Sequence, residues 1–224
     1  MTNESHQSVT ILGVGPFGQR VAALLAATVD DSRVRSAADV EQAFADPTGL
    51  VVVAQWRPSP VLCAAADLAS FSYRRPWLPI IMEHPVLRVG PMVVPSYGPC
   101  FGCYRRRCKQ HDSQRQATAA LHAAYADDPH CGPGGYLPQH ARLATTVAAE
   151  LWYRLRLGRP DAVRVAGEVV TIGLMGPQIH VNRVTGMPDC VRCGTVVRDP
   201  ASPQLASLIR SIAVMKANGS PGGS

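Results

Sequence analysis

The stretch "VTILGVGPFGQRVAALLAATV", residues 9–29, decides how this chain folds. Val9–Val14 is a short apolar run of strand length, and it leads directly into Gly13-x-Gly15-x-x-Gly18. Beyond the glycines, Val21, Leu24, Leu25 and Val29 recur at helical spacing. The expected unit is strand, glycine turn, helix. "LVVVAQW" (residues 50–56) is a continuous β-branched run, as in a strand buried on both faces. In "PSPVLCAAADLASF" (58–71), Val61, Leu62, Ala65, Leu68 and Ala69 fall on one helical stripe, and "LPIIMEH" (78–84) supplies a third strand. The order β, α, β, α, β predicts an α/β fold of Rossmann-like type, with a central mostly parallel sheet and helices on both faces.

The second half has a different texture. "PVLRVGPMVVP" (85–95) is extended and interrupted by Gly and Pro, which predicts a bent strand or ribbon. Residues 104–125 are polar and alanine-rich, and read as a helix ending in the breaker-rich "DDPHCGPGGYLP". In "QHARLATTVAAELWYRLRL" (139–157), Leu143, Val147, Leu151 and Leu155 recur with helical period, and Gly158 closes the helix. "AVRVAGEVVTIGL" (162–174) and "GPQIHVNRV" (176–184) predict a β-hairpin across Gly176-Pro177. A last helix is expected over 204–216, with Leu205, Leu208, Ile209, Ile212 and Met215 buried. The expected organisation is a flexible N-terminus (1–7), one domain (8–217) and a disordered tail (218–224).

Composition narrows the function classes. With 224 residues and 46% hydrophobic content, the chain can bury a full core, which excludes a disordered or fibrous protein. The net charge of +6 arises with only 17% charged residues, so the chain is basic through scarcity of acids. Its densest basic cluster, Arg105-Arg106-Arg107 with Lys109, suits a phosphate, an acidic peptide or a solvated helix face. The polar N-terminus lacks the order of a signal peptide, and no apolar run approaches the ~18 residues of a membrane span, so a cytoplasmic protein is expected. In a reducing compartment its seven cysteines read as metal ligands or redox groups before disulfides.

Four of them form two Cys-x-x-Cys pairs, Cys100/Cys103 in "GPCFGCYRRRCKQHD" (98–112) and Cys190/Cys193 in "PDCVRCG" (188–194). Each pair offers two thiolates from one tight turn, and two such turns complete a closed tetrahedral zinc site. Gly194 lets the second turn fold back, and Pro99 and Pro188 stiffen both approaches. The intervening segment, residues 104–189, is far longer than in a zinc ribbon. A redox pair or unrelated buried thiols remain alternatives, although a redox pair belongs after the first strand of its fold. Cys63, on an apolar stripe, is expected in the core, while Cys108 and Cys131 are alternative ligands.

Gly13, Gly15 and Gly18 stand between a strand and a helix, where the pattern can cradle a phosphate group. Pro16 removes one amide donor from that loop, and a tight turn kept for packing is the competing reading. A dinucleotide site also wants an acid at the end of the second strand. The nearest acids are Asp30, Asp31 and Asp39, so a nicotinamide oxidoreductase fits poorly.

Taken together, the glycine loop, "MEHPVLRVGPMVVPSYGPCFGCY", a long helical segment and "PDCVRCG" resemble the E1-like (ThiF-like) proteins of thiazole/oxazole-modified peptide biosynthesis, over residues 8–195. The resemblance implies that Cys100, Cys103, Cys190 and Cys193 are structural zinc ligands. It also implies a YcaO-type cyclodehydratase partner, which converts Cys, Ser and Thr of a ribosomal precursor peptide into azolines. Adenylating members carry a carboxylate for magnesium after the central strand, where this chain has Ala54, Gln55 and Trp56. "VRSAADVEQ" (34–42) likewise lacks the Asn and Arg of those members. Without a metal carboxylate, adenylation lacks electrostatic support, so no catalytic residue is assigned and ATP is not expected as a cofactor.

Many relatives carry a leader-binding winged helix in front, but here the first strand starts at Val9. Leader-peptide binding is therefore expected on another chain or another surface. The expectation is a non-catalytic subunit that docks a YcaO enzyme, with Arg105 to Lys109 as a candidate contact surface and homodimer formation allowed. Its rivals are an active E1-class adenylyltransferase, a Rossmann-type oxidoreductase and a zinc-dependent nucleic-acid binder. The last is disfavoured by few aromatics and the lack of a continuous basic face.

Overall fold

The computed structural model describes residues 8–95, 97–176 and 178–194. The proposed N-terminal flexible segment, the helix over 204–216 and the tail lie outside them. Seven strands form a single mixed sheet in the order β2-β1-β3-β4-β5-β6-β7. They are β1 (Val9–Val14), β2 (Ser32–Arg35), β3 (Leu50–Gln55), β4 (Trp77–Glu83), β5 (Val86–Val89), β6 (Glu168–Gly173) and β7 (Ile179–Arg183). The first four strands run parallel, as the β-α-β pattern requires. From β4 onward each neighbour is antiparallel, so the expected "mostly parallel" sheet is half parallel and half meander. The β6–β7 hairpin forms as expected.

Seven helices accompany the sheet: α1 (Gly15–Thr28), α2 (Val40–Ala45), α3 (Pro60–Tyr73), α4 (Phe101–His111), α5 (Arg115–Asp127), α6 (Pro138–Arg156) and α7 (Arg159–Val165). Strand β3 is buried along its whole length because both faces are covered. Leu50, Val52 and Ala54 point toward α1 and α6, while Val51 and Val53 point toward α2 and α3. This is the period-two alternation of a strand between two helical layers.

Several local expectations change. The stripe assigned to α3 is rotated: Val61 and Leu68 are exposed, while Cys63, Ala66, Asp67, Ala69 and Ser70 are buried. Small residues permit close approach of α3 to the sheet, and that outweighs the hydrophobicity of the larger ones. Cys63 is a core thiol as expected. Helix α6 likewise buries Ala141, Ala144, Ala148 and Ala149 with Leu151 and Trp152, leaving Leu143 at the surface. The predicted helix over 104–125 is two helices, because the Asp112 carboxylate accepts the Gln114 N–H at 2.7 Å and turns the chain. Residues 162–165, read as strand, complete α7. Gly158 (φ 113°) supplies the break between α6 and α7.

Candidate functional site

The two cysteine pairs meet in space. The Sγ atoms of Cys100, Cys103, Cys190 and Cys193 all lie within 4.8 Å of one another, with Cys100–Cys190 at 3.7 Å and Cys103–Cys193 at 3.4 Å. Four thiolates on a tetrahedral zinc at ~2.3 Å would stand about 3.8 Å apart. The cluster can hold a metal such as zinc, and its soft sulfur donors suit that ion. Cys108 is exposed and Cys131 half-buried, and neither belongs to the cluster.

Local backbone geometry makes both turns. Cys100 is the N-cap of α4, and the Cys103 N–H donates to its carbonyl at 3.1 Å. In the second turn the Gly194 N–H reaches the Cys190 carbonyl at 2.8 Å. A Cβ at residue 194 would lie 3.3 Å from the Pro188 carbonyl oxygen, so glycine suits the return of the chain. The Met187 N–H points at Cys103 Sγ from 3.3 Å, a donor that favours a thiolate there.

The sulfurs pull their own protons in opposite directions. A hydrogen bond from Cys193 brings the Cys100 thiol down to about 5, with smaller help from the Cys103 N–H and thiol and from Cys190. The same sharing with Cys100, together with burial, drives Cys193 up, and burial pushes Cys103 up to about 11. The cluster thus accepts one negative charge easily and resists the next. A divalent cation at the centre removes that conflict by neutralising the added thiolates.

Around the cysteines lies a set of contacts that the sequence did not announce. Asp67 of α3 is buried, and its carboxylate accepts the Phe101 N–H at 2.9 Å and the Gly102 N–H at 3.3 Å. The same carboxylate pairs with Arg192 of the second turn. Desolvation raises the Asp67 pKa, partly offset by the Phe101 N–H. One side chain therefore links α3, the first turn of α4 and the second cysteine pair. The only sequence signal was a lone carboxylate in the alanine-rich "CAAADLASF".

The triple arginine resolves into different roles. Arg106 pairs with Asp189 at 2.8 Å, and Arg107 Nε donates to the Thr185 carbonyl at 3.4 Å, both reaching the segment of the second pair. Arg105 points elsewhere.

At the glycine loop, Gly13, Gly15 and Gly18 each meet a close neighbour. A Cβ on Gly18 would lie 2.3 Å from the Ala54 carbonyl oxygen, and one on Gly13 would lie 2.8 Å from the Gly18 carbonyl oxygen. These two glycines let α1 pack onto β1 and β3. Gly15 has φ 67°, and a Cβ there would lie 2.1 Å from Cδ1 of Trp56. The indole therefore covers the backbone that a phosphate would have to approach.

The residues after β3 are all committed to packing. Ala54 backs Gly18, the buried Gln55 donates from Nε2 to Cys63 Sγ at 3.2 Å, and Trp56 covers Gly15. Arg57 stacks on the Trp56 and Tyr125 rings at 5.0 and 4.7 Å. Its guanidinium donates to the Cys131 and Asp128 carbonyls at 2.7 and 3.1 Å. Tyr136 closes the other side, edge-on to Phe17 at 5.3 Å, its hydroxyl donating to the Pro16 carbonyl at 3.4 Å. The segment between α5 and α6 is thereby tied down over the glycine turn.

No family model matches the chain, and no curated protein matches it in sequence. Solved structures do match in fold. The heterocyclase TruD superposes with a TM-score of 0.62 at 19% identity, over 85% of this chain and 28% of that one. A heterocyclase in complex with substrate and cofactor gives 0.58 at 18% identity, over 85% and 25%. The E. coli microcin C7 biosynthetic enzyme MccB shows the same similarity: with SeMet MccA it gives 0.56 at 16% identity, over 85% of this chain and 68% of that one. With N-formylated MccA, MccB gives 0.59 at 14% identity. The chain spans about a quarter of the heterocyclase chains and about two thirds of MccB. Its fold is the mixed α/β, E1-like fold seen in these peptide-modifying enzymes.

Proposed function

We propose that this chain is a non-catalytic, zinc-stabilised, E1-like subunit of a cytoplasmic assembly that forms azolines on a ribosomal precursor peptide. Its task is to dock and support a YcaO-type cyclodehydratase, in which a Cys thiol or Ser/Thr hydroxyl adds to the preceding amide carbonyl and water is lost. The fold likeness to heterocyclase and MccB structures supports the setting. Trp56 on Gly15 is the observation that carries the non-catalytic role, since the indole occupies the approach to the glycine backbone. Ala54 and Gln55, packed inward, supply no carboxylate for a magnesium ion beside it.

In this reading Cys100, Cys103, Cys190 and Cys193 hold a structural zinc with no open coordination position, clamping α4 to the segment that follows β7. No helix among the described residues is long and apolar enough to cross a membrane. ATP–pyrophosphate exchange by the purified chain, alone and with candidate precursor peptides, tests the non-catalytic role. The expected result is exchange no faster than a protein-free control. Exchange that depends on the chain and on a peptide carboxylate would instead establish an adenylyltransferase.

A further inference from the structure

The sheet's parallel half and the helices α4 and α5 enclose a second feature, separate from the cysteine cluster and the glycine loop. It is a groove of about 1230 Å³ running from the ends of β3 and β4 past the start of α3 to the inner side of α5. That volume exceeds the ~300–1,000 Å³ typical of small-molecule pockets, and it suits several residues of an extended chain.

The roof of the groove is a helix without a core. No residue of α5 is buried, and Leu121, which lines the groove, is 47% exposed. The helix is fastened at its ends, by the Asp112 turn before it and by Arg57 on the carbonyls after it. Its alanine-rich inner side therefore faces open space where an amphipathic helix ordinarily meets a packed partner. The floor is apolar, with Ile81 and Met82 from β4, and Val61 of α3 stands at the margin, 75% exposed.

The charges are one-sided. Arg88 is neutralised by its buried pair with Glu83. Arg57, Arg105, Lys109 and Arg115 remain along the lining, against the single carboxylate of Asp112. Arg105 and Lys109 make no ion pair or hydrogen bond among the described residues, and at i, i+4 on α4 they share one face. Both also border the smaller cavity of about 380 Å³ beside Cys100 and Cys190. The rings that could stack a base are occupied, Tyr104 by Arg88 at 4.8 Å and Tyr125 by Arg57.

We infer that this groove binds an extended acidic peptide segment in which carboxylates alternate with apolar side chains. An extended chain presents successive side chains to opposite sides. One set fits the floor of Ile81 and Met82, and the other meets Arg105 and Lys109. This ligand site goes beyond the proposed subunit role and stands whether or not a YcaO partner is found.

Fluorescence anisotropy with the full chain tests it, using a fluorescein-labelled decapeptide of alternating Glu and Leu. A Lys/Leu decapeptide and a single-stranded oligo-dT serve as the other probes. The Glu/Leu peptide binds at least about tenfold tighter than the Lys/Leu peptide at low salt, and weakens as salt rises. Charge reversal (Arg105→Glu with Lys109→Glu) and groove filling without charge change (Ala119→Trp) each remove that binding, with far-UV circular dichroism and zinc content as in the parent. Equal binding of the two peptides, or parental binding by either folded variant, overturns the inference. So does oligo-dT that binds tighter than the Glu/Leu peptide and displaces it.

Discussion

The indole of Trp56 sits against the backbone of Gly15, so close that a single added methyl at residue 15 would fall 2.1 Å from its Cδ1. The contact joins the end of β3 to the first turn of α1. It makes the glycine a packing requirement on two counts, the ring above it and its φ of 67°. Gly15→Ala is expected to lower unfolding free energy by ~1–3 kcal/mol, from strain and the forced movement of the ring. Adding Trp56→Ala relieves the clash, so the double mutant is less destabilised than the two single effects together predict. Urea unfolding of the four proteins measures the coupling.

The cysteine assignment makes a sharp distinction among the seven thiols. Cys103→Ser or Cys193→Ser is expected to abolish stoichiometric zinc and lower stability on the order of 5 kcal/mol, because metal binding and folding are linked. Cys108→Ser and Cys131→Ser keep one zinc per chain, since both side chains lie outside the cluster. Metal analysis together with thermal unfolding, before and after chelation, reads both effects.

Asp67 is expected to govern how tightly the metal is held without touching it. Removing its carboxylate in Asp67→Ala strips the Phe101 and Gly102 amides of their acceptor and leaves Arg192 unpaired. Zinc transfer to a chromogenic chelator then accelerates by about tenfold, the low end for groups that orient metal ligands. Asp67→Asn, which can still accept one N–H, falls between the parent and Asp67→Ala.

Burial pushes the Cys63 thiol up to about 11, with Gln55 acting in the opposite direction. The unfolded chain releases this proton near the ordinary value of 9.0, so the folded state holds more protons between the two values. The contribution of Cys63 to stability is complete below pH 9 and is lost as pH rises toward 11. A shift of that size corresponds to roughly 2–3 kcal/mol. In zinc-loaded protein, Cys63→Ala is expected to flatten this alkaline decline relative to the parent, as measured by unfolding across that pH range.

The first half of the fold was legible because each element buries a continuous pattern. Val9–Val14, the glycines and the stripe of α1 specify strand, turn and helix, and the run at 50–55 specifies a strand with two covered faces. Patterning failed where small residues do the packing. In α3, Val61 and Leu68 looked like core and are exposed, while Asp67 and Ser70 are buried by hydrogen bonds to groups distant in sequence. The break between α4 and α5 rested on one Asx turn inside a helix-favouring composition. The metal cluster was visible because Cys-x-x-Cys carries its chemistry locally. Trp56 over Gly15 was not, because nothing in either segment states that they touch.

The central claim is tested most directly by reconstitution. A YcaO-type enzyme encoded beside this chain is incubated with its precursor peptide and ATP, with and without the purified chain, and azolines are counted by mass as waters lost. The account predicts that azolines accumulate at least about tenfold faster when the chain is present, and that a variant with Cys103→Ser fails to give this stimulation. The same rate with and without the chain would contradict it.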